Sequence, residues 1–238
     1  MSVYYESHFS FCMQFWQLVS RLGESIYLLP SSLGIALWLC YRITMASALR
    51  WLLAVGAAAS LTLISKLAFM GWGVGIPALD FTGFSGHSAM SATVLPVLLY
   101  LCAPASRPRL AWLGAGCGIG LALVIGWSRL AVGAHSSSEV LSGLTLGFAS
   151  SLAFLNWPGR ALPRSVAPLV ATVTGFIILQ TWPLPRGISN THGMVERMAL
   201  QLSGREYPRR RSEFGLRPCV AGVYETDDRT FAIAKRPC

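Results

Sequence analysis

Six apolar stretches, separated by short polar gaps, restrict this chain more than any other feature: Ser25–Tyr41, Ala46–Ala68, Ser88–Ala103, Leu110–Trp127, Ser136–Leu155 and Ser165–Trp182. A helix that crosses a bilayer needs ~20 mostly apolar residues, with about 17 as the lower limit. The first and third stretches lie near or below that limit, so their ends are soft and five spans is the fallback. Only 12% of the residues are charged and 53% are hydrophobic, with a mean hydropathy of +0.53. A soluble domain carries about a quarter charged residues, so this chain cannot coat a water-facing surface. The expectation is an all-α, polytopic transmembrane helix bundle of about six spans.

The residues before the first stretch read differently. Phe11, Phe15, Leu18 and Leu22 recur at helical spacing, with Gln14, Gln17, Ser20 and Arg21 between them. That pattern predicts an amphipathic helix over Phe9–Leu22 lying in the membrane interface. The organisation is therefore an amino-terminal segment (1–24), a bundle (25–182) and a polar basic tail (183–238), with weak order expected after Arg205.

The net charge of +9 invites comparison with a nucleic-acid binder. The basic residues, however, sit in short gaps and in the tail, outside any nucleic-acid motif, so no nucleic-acid partner is expected. Arg42 and Arg50 flank the first gap, Arg107 and Arg109 sit in the third, and Arg160 and Arg164 in the fifth. The positive-inside rule makes that side cytoplasmic. The amino terminus and the second and fourth gaps then face outward, and in a six-span chain the tail does too. The six cysteines show neither zinc-site nor disulfide spacing and read as small buried hydrophobes.

The two outward gaps hold an unusual share of polar groups. The second contains Lys66, Asp80, Thr82, Ser85 and His87; the fourth contains Ser128, Arg129, His135 and Glu139. Ionisable residues at the edge of a membrane bundle are costly and commonly functional. Ser85 and Gly86 precede the helix expected from His87. The free N–H groups at that start, the Ser85 hydroxyl and the helix dipole would favour an anion, and the imidazole could protonate a departing oxygen. The same residues also fit a plain Ser N-cap in a glycine turn. His135 and Glu139, four apart, share one helical face. The carboxylate could hold one ring nitrogen and leave the other as a nucleophile, with Arg129 as a fork for phosphoryl oxygens. A capped helix start with a surface ion pair fits as well.

Taken together, the two clusters resemble the type 2 phosphatidic acid phosphatase superfamily, the membrane lipid phosphatases related to vanadium haloperoxidases and glucose-6-phosphatase. Phe84-Ser85-Gly86-His87 is similar to that family's Pro-Ser-Gly-His motif. Ser128-Arg129, five residues, His135, three residues and Glu139 is similar to its Ser-Arg…His…Asp motif, with Glu in place of Asp. The resemblance covers roughly Ser65 to Gly147. The family's first motif, Lys, six residues, Arg-Pro, is broken: Lys66 is present, but Gly73-Val74 stands where Arg-Pro should follow.

The resemblance implies a metal-independent phosphatase with no cofactor. His135 would attack phosphorus, Glu139 would orient it, and His87 would protonate the leaving oxygen and then activate water. Lys66, Arg129, Ser85 and the Gly86 N–H would hold the phosphoryl oxygens. The implied partners are a lipid phosphate substrate and the bilayer, with the site on the outer side of a bacterial inner membrane. Two other classes stay open: a non-catalytic protein of the same fold acting as a lipid carrier or partner subunit, favoured by the missing arginine, and a small-solute transporter, disfavoured by the near absence of mid-span charge.

Overall fold

The computed structural model describes residues 13–104, 106–157 and 191–214, together with residues 165, 170 and 174. Among these the protein is all-helical, and its single β-bridge, Ile76 with Phe81, lies in a loop. The helices are α1 (13–21), α2 (Ser25–Arg42), α3 (Met45–Trp72), α4 (Gly86–Leu101), α5 (Pro108–Ala131), α6 (Ser137–Leu155) and α7 (Thr191–Ser203).

Four helical stretches are long and apolar enough to cross a membrane: Met13–Arg42, Met45–Trp72, Pro108–Ala131 and Ser137–Leu155. Of the six expected spans, four coincide with these. The third corresponds to α4, whose 16 residues rise about 24 Å, less than the ~30 Å hydrocarbon core. The expected Ser165–Trp182 span falls almost wholly outside the described residues.

α4 can be short because lipid never reaches most of it. Ser88, Ala89, Ser91, Ala92, Thr93, Val94 and Val97 are fully buried, and α5 and α6 close on either side of it through glycines. A Cβ on Gly118 of α5 would stand 2.6 Å from the Leu95 backbone, and one on Gly147 of α6 would stand 2.6 Å from Ala92 Cβ. Small residues let backbones pack this closely where burying apolar surface gives no drive between helices. Leu37, Leu53, Leu113 and Leu141, on four different helices, stay exposed, as lipid-facing positions must. α2 is fixed to α3 by the buried Trp51, whose indole N–H donates to the Ser32 carbonyl at 2.8 Å.

The chain order alternates the helix ends. The α1–α2 junction, the loop from Gly73 to Ser85 and the loop from Val132 to Ser136 meet at one end of the bundle. Where the sequence predicts an amphipathic helix stands α1, with Phe15 and Leu18 exposed. Its last turn does more than lie on a surface. A Cβ on Gly23 would stand 2.5 Å from Ile125 Cγ2 and 3.3 Å from His87 Cβ, so this junction is packed against the helices that carry the site.

Candidate active site

α6 begins with a capping box. Ser136, the N-cap, accepts from the Glu139 N–H at 3.4 Å, and Glu139 Oε2 accepts from the Ser136 N–H at 3.3 Å. Reciprocal satisfaction of two orphan donors fixes the first turn. The same Oε2 lies 2.7 Å from His135 Nδ1. The capped helix start and the histidine–carboxylate pair foreseen from the sequence are thus one structure. The pair is not on the surface: the Glu139 side chain is 1% exposed and that of His135 15%.

The other carboxylate oxygen is equally engaged. Glu139 Oε1 accepts from the Thr82 N–H at 2.9 Å and from the Thr82 hydroxyl, and it lies 2.7 Å from Arg211 Nη2. A buried carboxylate is tolerated when its lone pairs are filled this way. With Glu139 ionised, Nδ1 of His135 is the protonated nitrogen, and Nε2 carries the lone pair. Burial pushes the His135 imidazole below its ordinary range, the hydrogen bond to Glu139 opposes that push, and the charges of Lys66 and Arg129 add to it. The ring is therefore neutral at neutral pH.

α4 starts against the backbone of the same residue. The Ser85 N–H donates to the Glu139 carbonyl at 3.0 Å, and a Cβ on Gly143 would stand 2.8 Å from the Ser85 carbonyl oxygen. The Ser85 hydroxyl does not cap its own helix; it accepts from Ser88 Oγ at 3.0 Å, which leaves its own proton to donate. The first intrahelical acceptor is the Ser85 carbonyl, used by Ala89, so the N–H groups of Gly86, His87 and Ser88 have none within the helix. Lys66 reaches this start from the last turns of α3: its Nζ is 3.9 Å from where a Gly86 Cβ would be. Ser65 beside it accepts from the Phe84 N–H at 3.1 Å, tying the loop to α3.

Arg129, in the last turn of α5, donates from Nη1 to Ser20 Oγ, and its buried Nε has no protein partner. Ser128 turns away and donates to the Ile125 carbonyl at 2.6 Å. The charges of Arg129 and Lys66 act on both imidazoles, and His87 also senses His135. Lys66, Ser85, Gly86, His87, Arg129, His135 and Glu139 therefore gather at one end of the bundle.

The sequence reading assigned no role to Ser20, Thr82 or Arg211, which touch Arg129 and Glu139. Asp80 is a further member of the cluster. Burial pushes its carboxyl above the ordinary value, Arg211 pulls it down, and Glu139 pushes it up. No group of three or more His, Cys, Asp or Glu side chains able to hold a metal ion occurs among the described residues.

The fold and the site define a class: an all-helical membrane protein with a buried histidine–carboxylate pair and cations collected at one end of the bundle. The PAP2 superfamily model matches residues 66–163. A Klebsiella pneumoniae protein described as "Uncharacterized 22.5 kDa protein in cps region" is 47% identical over 141 residues, which are 59% of this chain and 68% of that one. No solved structure matches. The chain belongs to the PAP2 superfamily.

Proposed function

We propose that this protein is a membrane-embedded lipid phosphate phosphatase that hydrolyses a phosphomonoester or pyrophosphate headgroup through a phosphohistidine. The observation that carries the reading is the 2.7 Å contact between His135 Nδ1 and the buried Glu139 carboxylate, which directs the lone pair of Nε2 away from the carboxylate.

In this reading Nε2 of His135 attacks phosphorus, and Glu139 keeps the ring oriented and balances its charge as the bond forms. His87 gives a proton to the departing lipid oxygen; it then takes one from the water that releases phosphate. The phosphoryl oxygens sit between Lys66, the Arg129 guanidinium, the Ser85 hydroxyl and the open N–H groups at the start of α4. Phosphoryl transfer asks a protein mainly for such placement and charge stabilisation. The acyl or prenyl chains stay among the exposed leucines while the headgroup enters the loop site. The site faces the outer side of the cell membrane, since the opposite end of the bundle carries the arginine-rich gaps.

The test is phosphate release by purified protein in detergent from phosphatidic acid, phosphatidylglycerol phosphate and polyprenyl pyrophosphate. Release from at least one of them is expected, with loss in His135→Ala and an acid-labile phosphoryl group on the wild type after rapid quenching. No release from any of the three, with wild type equal to His135→Ala, removes the assignment.

A further inference from the structure

The tail leaves its mark on the site through a chain of contacts that starts at α7. This helix lies against the end of α3: Ala199 is fully buried, and a Cβ on Gly71 would stand 3.2 Å from Ser203 Cβ. Beyond α7 the Arg209 N–H donates to the Met70 carbonyl at 2.9 Å. Arg209 Nη1 and the Arg210 N–H bind the two oxygens of Glu213 at 2.7 and 3.2 Å, which clips the short helical turn Arg211–Phe214 in place.

That clip delivers Arg211. Its Nη2 is 2.7 Å from Glu139 Oε1 and its Nε is 3.2 Å from Asp80 Oδ1. Asp80 is itself anchored, since its carbonyl accepts from Ser136 Oγ at 2.7 Å. The guanidinium bridges the two loops that meet at the site and occupies the carboxylate oxygen opposite the one that holds His135. Gly73, where the broken first motif lacks its arginine, lies under this segment: a Cβ there would stand 3.5 Å from Arg209 Nε.

We propose that the carboxy-terminal segment is a working part of the site, with Arg211 as a positioning residue that holds Glu139 in line with His135. The inference rests on the phosphatase reading above. A carboxylate this buried, bonded on one oxygen only to His135 and a backbone N–H, can rotate about its last torsion unless the other oxygen is fixed. Thr82 and Arg211 fix it, and Arg211 alone supplies a full positive charge there. Both described contacts of the guanidinium are to carboxylates, and the proposed effect runs through Glu139.

The experiment compares the full-length wild type with Arg211→Ala and Arg211→Lys on the lipid phosphate that the wild type hydrolyses fastest. A misplaced reacting group costs about 10²-fold in rate. Arg211→Ala is expected to lose about that factor in kcat, with KM changed by less than about 3-fold (under ~0.7 kcal/mol), and guanidinium ion in the buffer restores part of the loss. Arg211→Lys keeps the charge without the fork and falls between the two. Wild-type activity in Arg211→Ala, activity above wild type, or a KM rise with kcat kept each overturns the role while leaving the phosphatase reading intact. Loss of kcat in Arg211→Ala that guanidinium does not relieve, with Arg211→Lys equally inactive, overturns it as well. A wild type that releases no phosphate from any lipid overturns the function, and this role with it.

Discussion

Glu139 answers to several demands at once, and one substitution weighs its charge against its capping role. Its side chain closes the capping box of α6 and also binds His135. Glutamine serves a capping box as well as glutamate does, but it brings no negative charge to an imidazole that, in the proposed reaction, becomes cationic as it binds phosphorus. Glu139→Gln is therefore expected to lose on the order of 10²–10⁴-fold in kcat and also to lower the melting temperature in detergent, because its amide N–H₂ must face either Thr82 and Arg211 or His135 and Ser136, all of them donors. A variant that melts far lower while retaining its turnover would show that the capping role is the only one. The pH dependence follows from His135. Its imidazole is held below the ordinary value of about 6.5, burial being the leading cause, so the unfolded chain binds this proton before the native chain does. Acidification through and below pH ~6.5 then removes stability, since stability rises with pH wherever the unfolded state holds more protons. The nitrogen proposed to attack, by the same token, stays neutral to a lower pH than a free histidine would. The acid limb of kcat/KM is expected below pH ~6.5, and its shape should change in Glu139→Gln. The His135–Glu139 pair was legible in the sequence from its spacing of four, although His135 stands in the loop just before the Ser136 N-cap and not on the helical face expected. Thr82, Ser20 and Arg211 were not, because each reaches its partner from a different element, and no local period encodes such a meeting.

The glycines of α5 carry the lesson at the level of elements. In sequence, Gly114, Gly116, Gly118 and Gly120 form one run of small residues, and small residues in a span mean close packing. The run does not say which side packs. In the fold Gly114 and Gly118 lie against the backbone of α4, whereas Gly116 and Gly120 have nothing within 4 Å of a would-be Cβ. Gly118→Ala is expected to push α5 off α4 and to destabilise by about 1–3 kcal/mol, the usual range for overpacking. Gly120→Ala is expected to be neutral or to stabilise by up to about 1 kcal/mol, since alanine is the better helix former. Thermal unfolding of the two variants in the same detergent checks the pair, and equal melting temperatures would contradict the packing. Four of the six spans expected from hydropathy coincide with helices long enough to cross a membrane. α4 was the soft case, because its protection comes from neighbours and not from its own length.

At the scale of the whole molecule the open question is which way the bundle sits, and counting cations does not decide it, since both ends have them. What differs is the part of the chain that carries them. At the site end Lys66 and Arg129 are half-buried, Arg211 is paired with Glu139 and Asp80, Arg209 is paired with Glu213, and the exposed Arg21, Arg205 and Arg210 lie in the amino-terminal segment and the tail. At the far end Arg107 and Arg109 are exposed, and Arg42 and Arg50 lie over the rings of Trp38 and Trp157 at 5.3 and 5.2 Å, an arrangement suited to the interface. The positive-inside rule counts arginines in short loops between spans, and the proposed orientation, with the far end in the cytoplasm and the site on the outer face, rests on those. In a background with the native cysteines replaced, Val74→Cys in the site-end loop, where Val74 is 63% exposed, is expected to react with a membrane-impermeant thiol reagent in right-side-out vesicles. Arg107→Cys is expected to react only after the membrane is opened. The reverse pattern would turn the molecule over and hand its substrate to the inner leaflet, while leaving the contacts among His135, Glu139 and Arg211 untouched, because those depend on the packing of the helices and not on the direction in which they were inserted.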